Sequence, residues 1–149
     1  MVQTKNHGFE WMEFISLKED DMQQYHPIAG SYAVVRCLGK YLMCFNTWRA
    51  QWEIPAGGRE EHETSKECAI RELHEETGQK VTEMTFKGLM KVRNVKNETI
   101  KYNPVYYAEI DQLQPFLENA ETSEIILWDV KEDIGDVDEV DVKLFGFIQ

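Results

Sequence analysis

One stretch constrains this chain more than any other: Gly57-Gly58-Arg59-Glu60-Glu61-His62-Glu63, then seven residues, then Arg71-Glu72-Leu73-His74-Glu75-Glu76-Thr77-Gly78. Residues 64–77 carry a helical pattern, with Thr64 or Glu63 near the N-cap and Gly78 where a left-handed C-terminal residue is wanted. At about 100° per residue, Ala69, Ile70, Leu73 and Thr77 share one side, while Glu72, Glu75 and Glu76 fall within roughly a 100° arc on another. One face packs and the other presents carboxylates. Glutamates at i, i+3 and i+4 are neighbours that repel unless a cation lies between them. Glycines at 57 and 58 let the backbone come close to a metal or a diphosphate, where a side chain would obstruct. A glutamate-rich helix face alone reads as solvated surface; the glycine loop and Arg71 at fixed spacing lift it above that.

Around this segment the chain reads as a single domain, residues 1–149, because no repeat, low-complexity tract or Pro/Gly/Ser-rich linker divides it. With 42% apolar residues it is long enough to bury a real core. The formal charge of −11, from 27 acidic against 16 basic residues, argues against nucleic-acid binding by counterion release at phosphates. A small mobile substrate fits better, and an anionic one would need a cation in between. Cys37, Cys44 and Cys68 are odd in number and lack C-x-x-C spacing, so neither a disulfide framework nor a zinc knuckle is implied. No run of about 18 apolar residues occurs, and the expectation is a soluble, cytoplasmic protein without a membrane partner.

Residues 9–17 read as a first strand and 18–30 as polar chain broken by Pro27 and Gly30. A hairpin follows, with strands 31–37 and 41–45 around the turn 38–40, then a short strand 52–54 stopped by Pro55-Ala56-Gly57-Gly58. Beyond the helix, 81–92 and 100–110 read as strands, and 125–130 as the one that ends the sheet's run. Ile134, Val137, Val140, Leu144, Phe147 and Ile148 recur at mostly three- and four-residue spacing, which predicts a closing amphipathic helix. The pattern is that of an α/β protein, a mixed sheet covered by helices on its faces.

The segment from Gly57 to Gln79 resembles the Nudix box, G-x5-E-x7-R-E-U-x-E-E-x-G-U with U aliphatic. Gly57, Glu63, Arg71, Glu72, Leu73, Glu75, Glu76 and Gly78 are in register, and Gln79 is the one departure, where the family usually has an aliphatic residue that packs under the following loop. The resemblance implies the Nudix fold, an α/β/α sandwich with a mixed central β-sheet. It also implies Mg2+-dependent hydrolysis of a diphosphate linkage in a nucleoside diphosphate derivative, with Mn2+ as the alternative ion. Glu72, Glu75 and Glu76 become the expected catalytic and metal-binding carboxylates, joined by the Gly57 carbonyl, with Glu63 and Arg71 as a supporting ion pair. A further carboxylate commonly arrives from a later loop, and Glu121, Glu124 and Glu98 are the candidates here. Attack by water on one phosphorus follows, with the metal lowering the pKa of that water and a carboxylate taking its proton.

The substrate class stays open between a nucleoside triphosphate of the mutator type and an ADP-ribose or nucleotide-sugar type. Pro55-Ala56-Gly57-Gly58 resembles the latter, but 91–96 lacks the proline those enzymes carry. Trp48 and Arg49 could stack on a base or meet a phosphate, and Lys91, Arg93 and Lys96 could meet the anionic tail; each also reads as surface or core edge. His62 and His74 read as surface, Cys68 as core, and His7 and His26 carry no signal. Members of the family are often dimers, which brings a homodimer into view. The alternative is a catalytically silent Nudix-fold module that binds nucleotide and regulates a partner, but loss of box glutamates would be its mark, and all three are present.

Overall fold

The structure, a computed structural model, describes residues 3–5 as backbone and residues 8–148 in full; His7 lies outside them. The elements in chain order are β1 (Gln3–Lys5), β2 (Phe9–Ile15), a 3-10 turn (Glu19–Gln24), β3 (Ser31–Cys37), β4 (Lys40–Asn46), β5 (Gln51–Glu53), β6 (Ala56–Gly57) and α1 (Ser65–Thr77). They continue with β7 (Thr85–Asn94), β8 (Ile100–Ile110), β9 (Thr122–Trp128), β10 (Asp136–Asp138), α2 (Glu139–Leu144) and a 3-10 turn (Phe145–Phe147). The strands form one sheet in the order β1-β10-β5-β4-β3-β8-β7-β2, with β6 also paired to β3 and β9 to β4. Pairing is parallel at β1–β10, β10–β5 and β3–β8 and antiparallel elsewhere, so the sheet is mixed as predicted.

Strand alternation sends neighbouring side chains to opposite faces. Ala33 and Val35 of β3 and Leu42 of β4 meet Ala69 and Leu73 of α1 on one face. Val34 and the flanking Tyr41 and Met43 meet Val140, Leu144, Trp52 and Trp128 on the other. The result is the expected α/β/α layering, in which α1 rests on the middle of the sheet and carries the box across the end of β3.

Several boundaries differ from the sequence reading. The strand placed at 81–92 begins only at Thr85, because Gln79 and Met84 are buried under the helix end before the chain can pair. The closing helix over 134–148 is reduced to α2 and the 3-10 turn. Val137, one of its apolar positions, instead lies in β10 opposite Trp52, where i, i+3 spacing across a strand-to-helix junction imitates one helical stripe. The strand placed at 125–130 begins at Thr122, and rather than ending the run it pairs with the far side of β4. No helix among the described residues is long and apolar enough to cross a membrane.

Candidate active site

The box helix is fixed at both ends. Thr64 Oγ1 accepts from Glu67 N at 3.1 Å while Glu67 Oε1 accepts from Thr64 N at 2.9 Å, a capping box that satisfies two helix-terminal donors. At the other end Gly78 adopts φ 83° and donates to His74 O at 2.9 Å; a Cβ there would also strike the Pro115 carbonyl. Gln79, the departure from the box, is fully buried. Its amide donates to Thr77 O at 3.1 Å and Gln114 O at 2.8 Å and accepts from Gln114 N at 2.7 Å, so hydrogen bonds hold the loop where an aliphatic side chain would pack.

Arg71 is the hub of the glycine loop. Its Nε and Nη2 donate to the two Glu63 oxygens at 2.7 and 3.0 Å, and Nη2 donates to Gly58 O at 2.9 Å. Nη1 donates to Glu72 Oε1 at 2.7 Å and to Glu75 at 3.3 Å. This fork clamps loop to helix in the planar, two-pronged way that a lysine could not, and Arg71 beside it holds the Glu63 carboxyl below its usual value.

Glu76 is the buried member of the cluster, 4% exposed. Its Oε1 accepts from Ala56 N at 3.4 Å and from the Cys44 thiol at 3.7 Å, while its Oε2 is buried with no partner among the described residues. Burial, with Glu72 and Glu121 adding to it, pushes the Glu76 carboxyl up to about 10. Glu121, expected among three late candidates, is raised by burial and by the charge of Glu72. Glu72 lies against Gly57, where a Cβ would run into its carboxylate. The Gly57 carbonyl, expected to face the cluster, accepts from Cys68 Sγ at 3.1 Å and packs on Gly30; what Gly57 gives Glu72 is the closeness of its Cα.

These residues fit a hard divalent cation. A buried carboxylate oxygen without a partner, with two more acids pressing on it, is costly as it stands. A doubly charged ion with oxygen preference removes that cost. Among the described residues no three acidic, His or Cys side chains already converge as a closed cage, since Arg71 draws Glu72 and Glu75 toward itself. An ion that keeps waters and shares phosphate oxygens does not need one.

The other expected residues separate. Glu124 is exposed on β9, and Glu98 pairs with Arg93 at 3.1 Å at the far end of β7. Arg93 also pairs with Glu10, and Lys91 lies 3.9 Å from Glu13. Trp48 is 69% exposed in the β4–β5 turn, while Arg49 donates to both Glu53 oxygens, at 2.6 and 2.8 Å. His62 is exposed, and His74 is half-buried.

Arg49 and Glu53 belong to the wall of a cavity of about 200 Å³, shared with Tyr32, Lys101, Asp138 and Asp141 and reaching Ala56, the residue before Gly57. Glu53, Gln51 and Asp138 form a chain, with Gln51 Nε2 donating to Glu53 at 2.7 Å and to Asp138 at 3.1 Å. Asp141 accepts from Ile54 N at 2.8 Å through Oδ2, and its buried Oδ1 has no partner among the described residues. Burial, with Asp138 and Glu53, raises the Asp141 carboxyl well above its ordinary value. The sequence reading missed this group, since the closing helix predicted over 134–148 rests on apolar positions alone and gives Asp138 and Asp141 no role. The usable signal was an aspartate three residues before another at a helix start, since Asp138 caps α2 through Val140 N and Asp141 N.

A mixed sheet between two helices, with a glycine loop clamped to a glutamate-bearing helix by one arginine, defines the Nudix hydrolase class of fold and site. The chain belongs to this family: the NUDIX domain model matches residues 24–142, and the family generally needs a divalent metal. It is 31% identical over 97 residues to the Bacillus subtilis protein YtkD, named for an 8-oxo-dGTP diphosphatase activity. That match spans 65% of this chain and 60% of YtkD's length. A MutT Nudix hydrolase from Burkholderia pseudomallei superimposes with a TM-score of 0.69 at 16% identity, over 83% of this chain and 100% of that one. The Bacillus subtilis pyrophosphohydrolase BsRppH gives 0.64 at 24% identity, over 78% and 70%.

Proposed function

We propose that this chain hydrolyses a diphosphate linkage in a nucleoside triphosphate of the mutator type, in a Mg2+-dependent reaction. The observation that carries this reading is the unpartnered, buried Glu76 Oε2 among Glu72 and Glu121, on a helix whose loop Arg71 locks in place. Glu72, Glu75 and Glu76 would hold the ion, with Glu121 as the late carboxylate in preference to Glu124 and Glu98, because its charge is the one that acts on Glu76. Held by these carboxylates, Mg2+ would supply neutralisation of the phosphate chain and a lowered pKa for the attacking water. Glu121 would accept a proton from the water that attacks phosphorus as the bond to the leaving phosphate oxygen breaks. Gly57 and Gly58 leave room for the diphosphate. Arg71 is already committed to Glu63 and the Gly58 carbonyl, so it acts on the loop and not on the phosphates.

The cavity beside Ala56 takes the nucleoside. In its wall Glu53 is paired with Arg49 and Asp138 with Gln51, while Asp141 Oδ1 has no partner among the described residues, which suits a base that presents an N–H donor. The name of YtkD supports the triphosphate reading over the nucleotide-sugar one. Of the expected substrate contacts, Arg49 lines this cavity, Trp48 lies beside it in the same turn, and Lys91 and Arg93 are tied to acids on β2. The test is a panel of nucleoside triphosphates including 8-oxo-dGTP, with ADP-ribose, nucleotide sugars and dinucleotide polyphosphates, incubated with Mg2+ and followed by phosphate and pyrophosphate release. Hydrolysis confined to triphosphates supports the reading, and silence across the panel overturns it.

A further inference from the structure

The last carbonyls of a helix have no intrahelical partner. In α1 the Glu76 carbonyl is taken up from outside: Thr122 Oγ1 donates to it at 2.6 Å and Asn119 Nδ2 at 3.5 Å. The same Asn119 amide donates to Thr122 Oγ1 at 2.8 Å, and its Oδ1 accepts from Glu121 N at 2.9 Å and Thr122 N at 2.8 Å. Glu121 is therefore held between Thr122, whose hydroxyl grips the backbone of Glu76, and Asn119, which donates to Leu117 O at 3.1 Å and orients that hydroxyl. From the other side Thr47 N and Oγ1 donate to the Glu121 carbonyl at 2.9 and 3.1 Å, and Asn46 Nδ2 reaches Glu121 Oε2 at 3.5 Å. Asn46 is itself oriented by accepting from Trp48 N and Arg49 N, so its amide nitrogen is left to face Glu121.

We propose that Asn119 and Thr122 are positioning residues that hold the Glu121 carboxylate in line with Glu76 by latching the start of β9 to the last turn of α1. The proposal rests on the reading of Glu121 as a working carboxylate of the site. The segment before β9 is irregular, and side-chain hydrogen bonds set where Glu121 falls relative to the helix. Thr122 is 2% exposed, so its hydroxyl has no water to turn to and its bond to Glu76 is held in one geometry.

The test is Mn2+ affinity, measured by electron paramagnetic resonance on the metal-free protein, together with turnover of 8-oxo-dGTP. Glu121→Gln should lower kcat by orders of magnitude and, by removing a negative charge that acts on Glu76, weaken Mn2+ binding. Thr122→Val, which keeps shape but removes the hydroxyl, and Asn119→Ala should weaken it in the same direction and lower kcat on the order of tenfold, with KM little changed. Thr122→Ser should restore both, and Thr122→Val added to Glu121→Gln should cost little more than Glu121→Gln alone, because a latch without its carboxylate positions nothing. If Glu121→Gln weakens Mn2+ binding while Thr122→Val and Asn119→Ala do not, or if the two effects multiply, the latch serves the fold only and the proposal fails. If Glu121→Gln leaves both Mn2+ binding and kcat as in the wild type, the role of Glu121 itself falls, and the latch with it.

Discussion

The Glu72 carboxylate lies against the Cα of Gly57, in the space that a Cβ would take. Loop and helix are thus in contact at the place where the ion is proposed to sit, and the smallest side chain would part them. Gly57→Ala should leave the circular dichroism spectrum unchanged while lowering turnover by about 100-fold, the cost of roughly 1 Å of misplacement. Wild-type turnover in that variant would show that Glu72 need not be where it is.

Glu76 links function to a stability cost. Its folded value, pushed up to about 10, lies above that of an unfolded glutamate at about 4.3. The unfolded chain therefore releases this proton first, and metal-free stability falls as pH rises from the unfolded value toward the folded one. Glu76→Gln should flatten that fall and leave the metal-free protein at least as stable at pH 8, while hydrolysis drops by orders of magnitude. Urea midpoints across pH 4 to 9, read beside kcat, decide it; a less stable, fully active variant would reverse the assignment.

Metal uptake should displace the proton that Glu76 holds, so affinity for Mg2+ should rise with pH and binding should release protons. At about 100 times its Kd, Mg2+ should add about 2.7 kcal/mol to the unfolding free energy. Calorimetry in two buffers of different ionisation enthalpy measures the proton count, and equal heats in both would contradict the displacement.

With the nucleoside in the cavity beside Ala56, as proposed, Asp141 should bear on substrate choice. Its Oδ2 accepts from Ile54 N, so in Asp141→Asn the oxygen keeps that bond and an amide nitrogen replaces the free acceptor Oδ1. A base donating N–H there would meet a donor, and KM for the preferred triphosphate should rise about tenfold, the low end of what an unmatched buried polar group costs. An unchanged KM would place the base elsewhere.

Gln79 should matter to the fold and not to the ion. Gln79→Leu restores the family's aliphatic residue but strands Gln114 N and O, and should cost about 1–3 kcal/mol in urea unfolding with Mg2+ affinity unaltered. A more stable variant would mean that packing, and not the amide, holds this loop.

The sequence by itself determined the box helix, its caps and its two faces, because capping, periodicity and like-charge repulsion act between residues a turn or two apart. It also placed β3, β8 and the hairpin to β4 closely, since strong β-branched or apolar alternation needs no distant information. Only tertiary structure sets Glu121 apart from Glu124: the two are alike in sequence, and pairing of β9 with β4 brings one to Asn46 and leaves the other exposed. It decided the cavity as well, because Glu53, Lys101 and Asp141 come from three separate elements. Val137 was misread for the same reason, its partner Trp52 being a strand far away in the chain.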